Sequence, residues 1–485
     1  MIKNPIAIID IGSNSIRMVV YDGLYRSPAI LFNERVLAEL GKTLSTTGTL
    51  NPKTLELAFF NLQRFKAVIS NMNAKYYVIA TAALREATDG PAFTQRLKDE
   101  LGLDIEIISG EQEAYLGAMG LLASVRHVDG VAGDLGGGSL EFSHIADHQY
   151  IQGASTPMGG LRFASGYKDK NALKTEISKN LNNVGWLKDV AKGKTFYAIG
   201  GAWRAIARYY MEKTAYPIHI IHGLRIPVHV IIPHLTELAA MNKGELMRLE
   251  MISKHRRPVI GTAAQLLLDV VNHVGANELV FSGFGVRDGL LFTKLDGESQ
   301  AKDPLMDRCK QIEKQLSRFN NGKAIYKWSK VIVAGEKKKY QRLYKAACMI
   351  NDMGWFEHRD YRAELSFRRV LTQRLGGGVN HVERIMLAIA IYVSYGENIN
   401  DKLLLDYQEL LTKKQLKLAR RYGLAIRLAR RLGGGPIKPL KHAELTVTNK
   451  NLELKIDESL EPFMGQHIEK LLDKLADNMG LKHIY

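Results

Sequence analysis

The chain has 485 residues, 46% hydrophobic and 24% charged, which excludes a disordered or fibrous polypeptide and sets an expectation of two to four globular domains. Two cysteines, Cys309 and Cys348, exclude a disulfide scaffold and fit a reducing compartment. No apolar run has the length of a membrane span or a signal-peptide core, so a cytoplasmic protein is expected. Lysine and arginine (67) exceed aspartate and glutamate (50) by 17, an excess that favours a polyanionic partner.

Taken in chain order, an apolar strand Ile6-Ala7-Ile8-Ile9 runs into the turn Asp10-Ile11-Gly12-Ser13-Asn14-Ser15. Helical spacing over 55–71, strands over 76–80 and 105–108 and a helix over 111–124 follow. Val131-Ala132-Gly133 then lead into a second turn, Asp134-Leu135-Gly136-Gly137-Gly138-Ser139. Further glycine turns, Ala198-Ile199-Gly200-Gly201-Ala202 and Phe281-Ser282-Gly283-Phe284-Gly285, each follow an apolar run and open a helix; another helix is expected over 263–274. This alternation predicts an α/β architecture up to about residue 300. Beyond it, lysine-rich helical stretches dominate, broken at Gly376-Gly377-Gly378 and Gly433-Gly434-Gly435-Pro436, until a closing hairpin over 445–456.

The first two turns match in order (acid, aliphatic, glycine, two small residues, serine, aliphatic) and lie 124 residues apart. A fold of two similar halves with a cleft between them explains the repeat. Glycine lets bare backbone N–H groups converge on an anion, and serine hydroxyls add donors. A leading aspartate can hold a divalent cation directly or through water. Gly12, Ser13, Asn14, Ser15, Gly136, Gly137, Gly138 and Ser139 are therefore candidate phosphate ligands, and Gly200 and Gly201 join them at a helix N-terminus.

Four ordered segments carry a resemblance: Asp10 to Arg17, Ala80-Thr81-Ala82-Ala83-Leu84-Arg85-Glu86-Ala87, Ser109-Gly110-Glu111-Gln112-Glu113-Ala114, and Asp134 to Glu141. Together with Ser282-Gly283 and Val286-Arg287-Asp288-Gly289, they resemble the exopolyphosphatase and guanosine pentaphosphate phosphatase (Ppx/GppA) family over about residues 5 to 295. The resemblance implies a duplicated fold of the actin, hexokinase and Hsp70 kind, a homodimer, and Mg²⁺-dependent release of orthophosphate from polyphosphate. It implies Glu113 as the catalytic base and Arg85 as a catalytic contact to the terminal phosphates. Arg17 becomes a further phosphate candidate, with Asp134 and Glu141 as metal ligands and Asp10 acting through water. Gln112 stands where the family has the first glutamate of a pair, which leaves Glu111 as a fallback for the base.

Expected boundaries are 1–125 and 126–302 for the two halves and 303–485 for a mainly helical domain. The segment from Leu343 to Gly354 resembles the helix of HD-type phosphohydrolases, but Asn351-Asp352 replaces the metal-binding His-Asp pair, so a metal-free HD-like domain is expected. Ten lysines and arginines and no acid fall between Lys413 and Lys441, an expected basic track for a polyphosphate tail. The leading expectation is an exopolyphosphatase, with guanosine pentaphosphate as the alternative substrate. An actin-like or sugar-kinase-like ATPase and a non-catalytic polyanion binder are more remote; a membrane partner is not expected, and nucleic acid less so than polyphosphate.

Overall fold

The structure, a computed structural model, describes residues 4–166, 170–436 and 438–484. The chain divides into two compact units, Met1–Lys302 and Asp303–Tyr485.

In the first unit β1 (Ile6–Ile11), β2 (Ser15–Tyr21), β3 (Ile30–Leu37), β4 (Lys75–Ala80) and β5 (Glu106–Ile107) form one sheet, ordered β3-β2-β1-β4-β5. A second sheet holds β6 (Gly130–Leu135), β7 (Leu140–Ala146), β8 (Gln149–Thr156), β9 (Thr195–Gly200), β10 (Leu224–Pro227) and β11 (Glu278–Phe281). Its order is β10-β11-β9-β6-β7-β8. Read from β8, the second sheet repeats the first strand for strand and adds β10 as an antiparallel edge. In each sheet an antiparallel three-stranded meander is continued by parallel strands. The central strands β1 and β6 are buried on both faces, as strands covered by helices on each side must be.

The helix Gly110–Ser124 is shared by the two halves. Its Leu116 packs with Ile6, Ile8 and Ile79 of the first sheet, while Ala118, Leu121 and Leu122 pack with Ala132, Ile145 and Ile199 of the second. The helix Val286–Thr293 crosses it where glycines replace side chains. A Cβ on Gly289 would lie 1.8 Å from the Leu116 carbonyl oxygen, and one on Gly120 would lie 2.3 Å from that of Gly285. Two backbones can approach this closely only without side chains between them.

The second unit is mainly helical. Its core gathers Leu343, Tyr344, Phe367, Ile389, Tyr422 and Leu428, all fully buried. The expected hairpin forms as β12 (Ala443–Val447) and β13 (Asn451–Ile456), and β14 (Lys482–Ile484) adds to it in parallel. At the HD-like position, Asn351 donates to the Asn321 side-chain oxygen and the Cys348 carbonyl. The buried Asp352 carboxylate accepts from the Arg318 guanidinium at 2.7 and 3.0 Å, and Arg430 lies 3.8 Å away. A guanidinium thus compensates this buried carboxylate.

That arrangement engages part of the expected basic track. Within the helix Lys413–Gly433, Arg430 turns inward to Asp352 and the Asn351 carbonyl, and Arg421 and Lys414 pair with Glu336. Acids absent from the segment itself arrive from other elements. Lys413, Lys417, Arg420 and Arg431 remain exposed.

Candidate active site

Both turns close in the same way. The Gly12 N–H donates to the Ser15 carbonyl at 3.2 Å, and the Gly136 N–H to the Ser139 carbonyl at 3.0 Å. Each turn joins a central strand to its antiparallel neighbour, so the residues on either side are fixed by register. In the first sheet Asp10, Arg17 and Arg35 stand in one row across β1, β2 and β3. In the second, the matching row is Asp134, Glu141 and Ser155 across β6, β7 and β8. Arg17 and Glu141 are therefore equivalent positions, one bearing a cation and the other a carboxylate. The turns meet tip to tip: a Cβ on Gly137 would lie 3.2 Å from the Ser13 Cβ, and one on Gly138 would lie 3.2 Å from the Ser13 hydroxyl.

A cavity of about 210 Å³ opens between the halves, walled by both turns, Glu113, Asp134, Gly200, Gly201 and a set of arginines. Its acidic side is strained electrostatically. Burial, together with the charge of Asp10, pushes Asp134 up to about 6 against the pull of Arg204 and Arg287. Burial and Asp134 push Glu141 up to about 8, opposed by the nearby Ser139 and Ser155 hydroxyls. Burial, Glu141 and Asp134 hold Glu113 well above the usual carboxylate range, against Arg85. Such a cluster calls for a cation.

Its basic side is strained in the opposite sense. Arg17, Arg35, Arg204, Arg256 and Arg287 line the cavity. Burial and the neighbouring guanidiniums push Arg17 down to about 10 and Arg256 down to about 9. Burial and Arg287 lower Arg35 and Arg204 as well. Burial also acts to lower Arg287, but Asp10 and Asp288 outweigh it, and Arg287 donates to Asp10 at 2.5 Å. Gly201 makes room for one member, since a Cβ there would lie 2.4 Å from the Arg256 guanidinium.

The structure brings Gly12, Ser13, Asn14, Ser15, Arg17, Gly136, Gly137, Gly138, Ser139, Gly200, Gly201, Asp10, Asp134 and Glu113 to the cavity wall. Arg85 and Glu141 do not line it. Arg85 donates to the Ile108 carbonyl at 2.7 Å and lies 3.5 Å from the Glu113 carboxylate. Glu141 is 1% exposed and accepts from Ser155 at 2.9 Å, while its Oε2 has no hydrogen-bond partner among the described residues. That orphaned oxygen and the raised carboxylates around it suit a divalent cation. Among the described residues no three acidic, histidine or cysteine side chains converge as a closed metal cage. Mg²⁺ rarely uses one; it takes one or two carboxylates and completes its shell with water and substrate phosphate.

The first turn of the helix Gly110–Ser124 gives its three polar side chains different surroundings. The Ser109 hydroxyl accepts from the Gln112 N–H, and the Gln112 side chain accepts from the Ser109 N–H. Gln112 therefore closes a capping box, a task glutamine performs as well as glutamate. Glu111, the fallback, is exposed, whereas Glu113 is 8% exposed and faces the cavity. Sequence reading missed Arg35, Arg204, Arg256 and Ser155 as site residues, and gave Arg287 no role.

A family profile described as Ppx/GppA phosphatase matches residues 19–298, and one described as exopolyphosphatase, C-terminal, matches residues 319–485. The chain belongs to the Ppx/GppA phosphatase family, hydrolases that act on phosphoanhydride bonds. Retrograde regulation protein 2 of Saccharomyces cerevisiae is 25% identical over 444 residues, which span 82% of this chain and 74% of the yeast protein. Exopolyphosphatase 1 of Mycobacterium tuberculosis is 25% identical over 321 residues, spanning 61% of this chain and 89% of its own. Among solved structures, an exopolyphosphatase from Cytophaga hutchinsonii superposes with a TM-score of 0.57 at 21% identity, over 61% of this chain and 98% of that one. The Aquifex aeolicus family member gives 0.51 at 24% identity, over 59% and 96%. These structures share the duplicated actin-like fold described above.

Proposed function

We propose that this chain is an exopolyphosphatase that removes the terminal orthophosphate of linear polyphosphate with the help of a divalent cation, most simply Mg²⁺. The observation that carries this reading is the set of five arginines on one cavity, at least four of them depressed by burial and by one another. A cleft with so many clustered guanidiniums suits several anionic groups in a row rather than one.

In this reading Gly12 and Gly136 close the two turns, which hold the terminal phosphoryl group through the N–H groups of Gly137 and Gly138 and the hydroxyls of Ser13 and Ser139. Asp134 and Glu141 would hold the cation, with Asp10, kept in place by Arg287, reaching it through water. When bound, the cation neutralises phosphate charge and polarises the phosphoryl group. Glu113 orients a water and accepts its proton during in-line attack; the charge of Arg85 behind it favours the ionised form. Arg17, Arg35, Arg204 and Arg256 bind the following phosphates and stabilise the leaving chain. A homodimer, taken from the family resemblance alone, and a cytoplasmic location, taken from the sequence alone, are part of the same proposal.

The test is a comparison of kcat/KM for polyphosphate and guanosine pentaphosphate in Mg²⁺. A higher value for polyphosphate is expected; a higher value for the nucleotide would overturn the assignment. ATP-dependent phosphorylation of a small acceptor would overturn the reaction class as well.

A further inference from the structure

Ser155 lies outside every motif that marked the site, yet the fold aims it at one oxygen of Glu141. The two residues are direct cross-strand partners on β7 and β8, and the Ser155 hydroxyl donates to Glu141 Oε1 at 2.9 Å. The neighbouring pair secures the register, since Thr156 donates to the Leu140 carbonyl at 2.9 Å. Ser155 also fits closely against the start of the helix that carries Glu113. A Cβ on Gly110 would lie 2.4 Å from the Ser155 Cβ and 2.7 Å from its hydroxyl oxygen. Gly110 therefore leaves the space Ser155 fills, and the serine has little freedom to leave Glu141. The outcome is an asymmetric carboxylate: Oε1 accepts from Ser155, and the buried Oε2 has no partner at hydrogen-bond distance among the described residues, with the Ser139 hydroxyl nearby.

We propose that Ser155 is a positioning residue that presents Glu141 to a divalent cation through Oε2 alone, and so favours a small six-coordinate ion over a larger one. This inference rests on the proposed role of Glu141 as a metal ligand. A carboxylate with one oxygen engaged elsewhere is biased towards a single-oxygen ligand, which suits octahedral Mg²⁺ or Mn²⁺. Ca²⁺ has longer bonds and a higher coordination number, and readily takes both oxygens of a carboxylate. Partners that orient a metal ligand from behind typically change metal affinity by about 10- to 100-fold when removed. Gly110 acts through Ser155, so a methyl group there should displace the hydroxyl without deleting it.

The experiment is calorimetric titration of the full chain, without substrate, with Mg²⁺, Mn²⁺ and Ca²⁺. The proteins compared are wild type, Ser155→Ala, Ser155→Thr, Gly110→Ala and Glu141→Gln. Ser155→Ala and Gly110→Ala should each lower the ratio of Mg²⁺ to Ca²⁺ affinity by about tenfold. Ser155→Thr keeps a hydroxyl on a strand that tolerates β-branching and should restore the ratio. An unchanged ratio in Ser155→Ala, with binding lost in Glu141→Gln, would overturn the positioning role and leave the metal reading intact. Wild-type Mg²⁺ affinity in Glu141→Gln would overturn the metal reading and this inference with it.

Discussion

Glu113, Asp134 and Glu141 are all raised by burial, and Asp134 further penalises ionisation of both glutamates. Their pKa values are raised on folding, so the folded state holds protons more tightly than the unfolded chain. The stability this contributes is full below the ordinary carboxylate range and is lost as pH rises through the folded values. For Asp134 and Glu141 those values are about 6 and about 8. Without divalent cations, the melting temperature should fall as pH rises from about 4 to about 8. Adding Mg²⁺ or introducing Glu141→Gln should flatten the fall; a flat profile in the metal-free wild type would contradict the clustering. Glu113→Gln should lower kcat by about 10³-fold and leave KM nearly unchanged, because it removes proton acceptance without removing a phosphate contact. Glu113 could be found in the sequence because it sits in a short ordered segment. Arg35 and Ser155 could not: they occupy equivalent rows, but the hairpin from Arg17 to Arg35 is longer than that from Glu141 to Ser155. The repeat therefore loses its spacing just where it turns back.

Among the elements, the central strands and long helices are legible because each carries an uninterrupted periodic signal. β1 is apolar from Ile6 to Ile9, and the helices Pro52–Asn71 and Arg257–Val274 each place four or more buried residues on one face. β3 and β8, half-buried at the sheet edges, alternate too weakly to be read. Contacts made by glycine give no local signal at all. Gly289→Ala would drive a methyl group into the Leu116 carbonyl and should destabilise the first unit by about 3 kcal/mol, as overpacking does, which a urea titration would measure. In the second unit, Arg318→Met leaves Asp352, 2% exposed, with the backbone N–H of residue 318 and its longer contact to Arg430 but without the close guanidinium. A loss of about 3 kcal/mol is expected from removing one partner of a buried ion pair. The double variant Arg318→Met with Asp352→Leu should recover most of it; equal losses in both would rule out the uncompensated charge as the cause. The partners of Lys414, Arg421 and Arg430 were not legible for a related reason: a helix shows its own charges in sequence, but not the acids that other elements bring to it.

Across the whole molecule the charge excess is uneven. Residues 303–485 carry 34 lysines and arginines against 21 aspartates and glutamates, so most of the net charge of +17 belongs to the second unit. If that unit retains long chains, KM for long polyphosphate should rise steeply with salt, and KM for short polyphosphate much less. Neutralising the exposed Lys413, Lys417, Arg420 and Arg431 should reduce the difference; an unchanged salt slope would remove the helix Lys413–Gly433 from the binding path.

The shared helix Gly110–Ser124 has one more consequence. It lies on both sheets, pivots against Gly289 and carries Glu113 in its first turn. A four-turn helix behaves as a stiff rod, so any rocking of one half against the other must swing its tip relative to at least one phosphate turn. The angle of the jaws and the aim of the water-activating group are then a single mechanical coordinate. A small molecule wedged far from Glu113, holding the jaws a few degrees apart, would stop turnover without occupying the reaction centre.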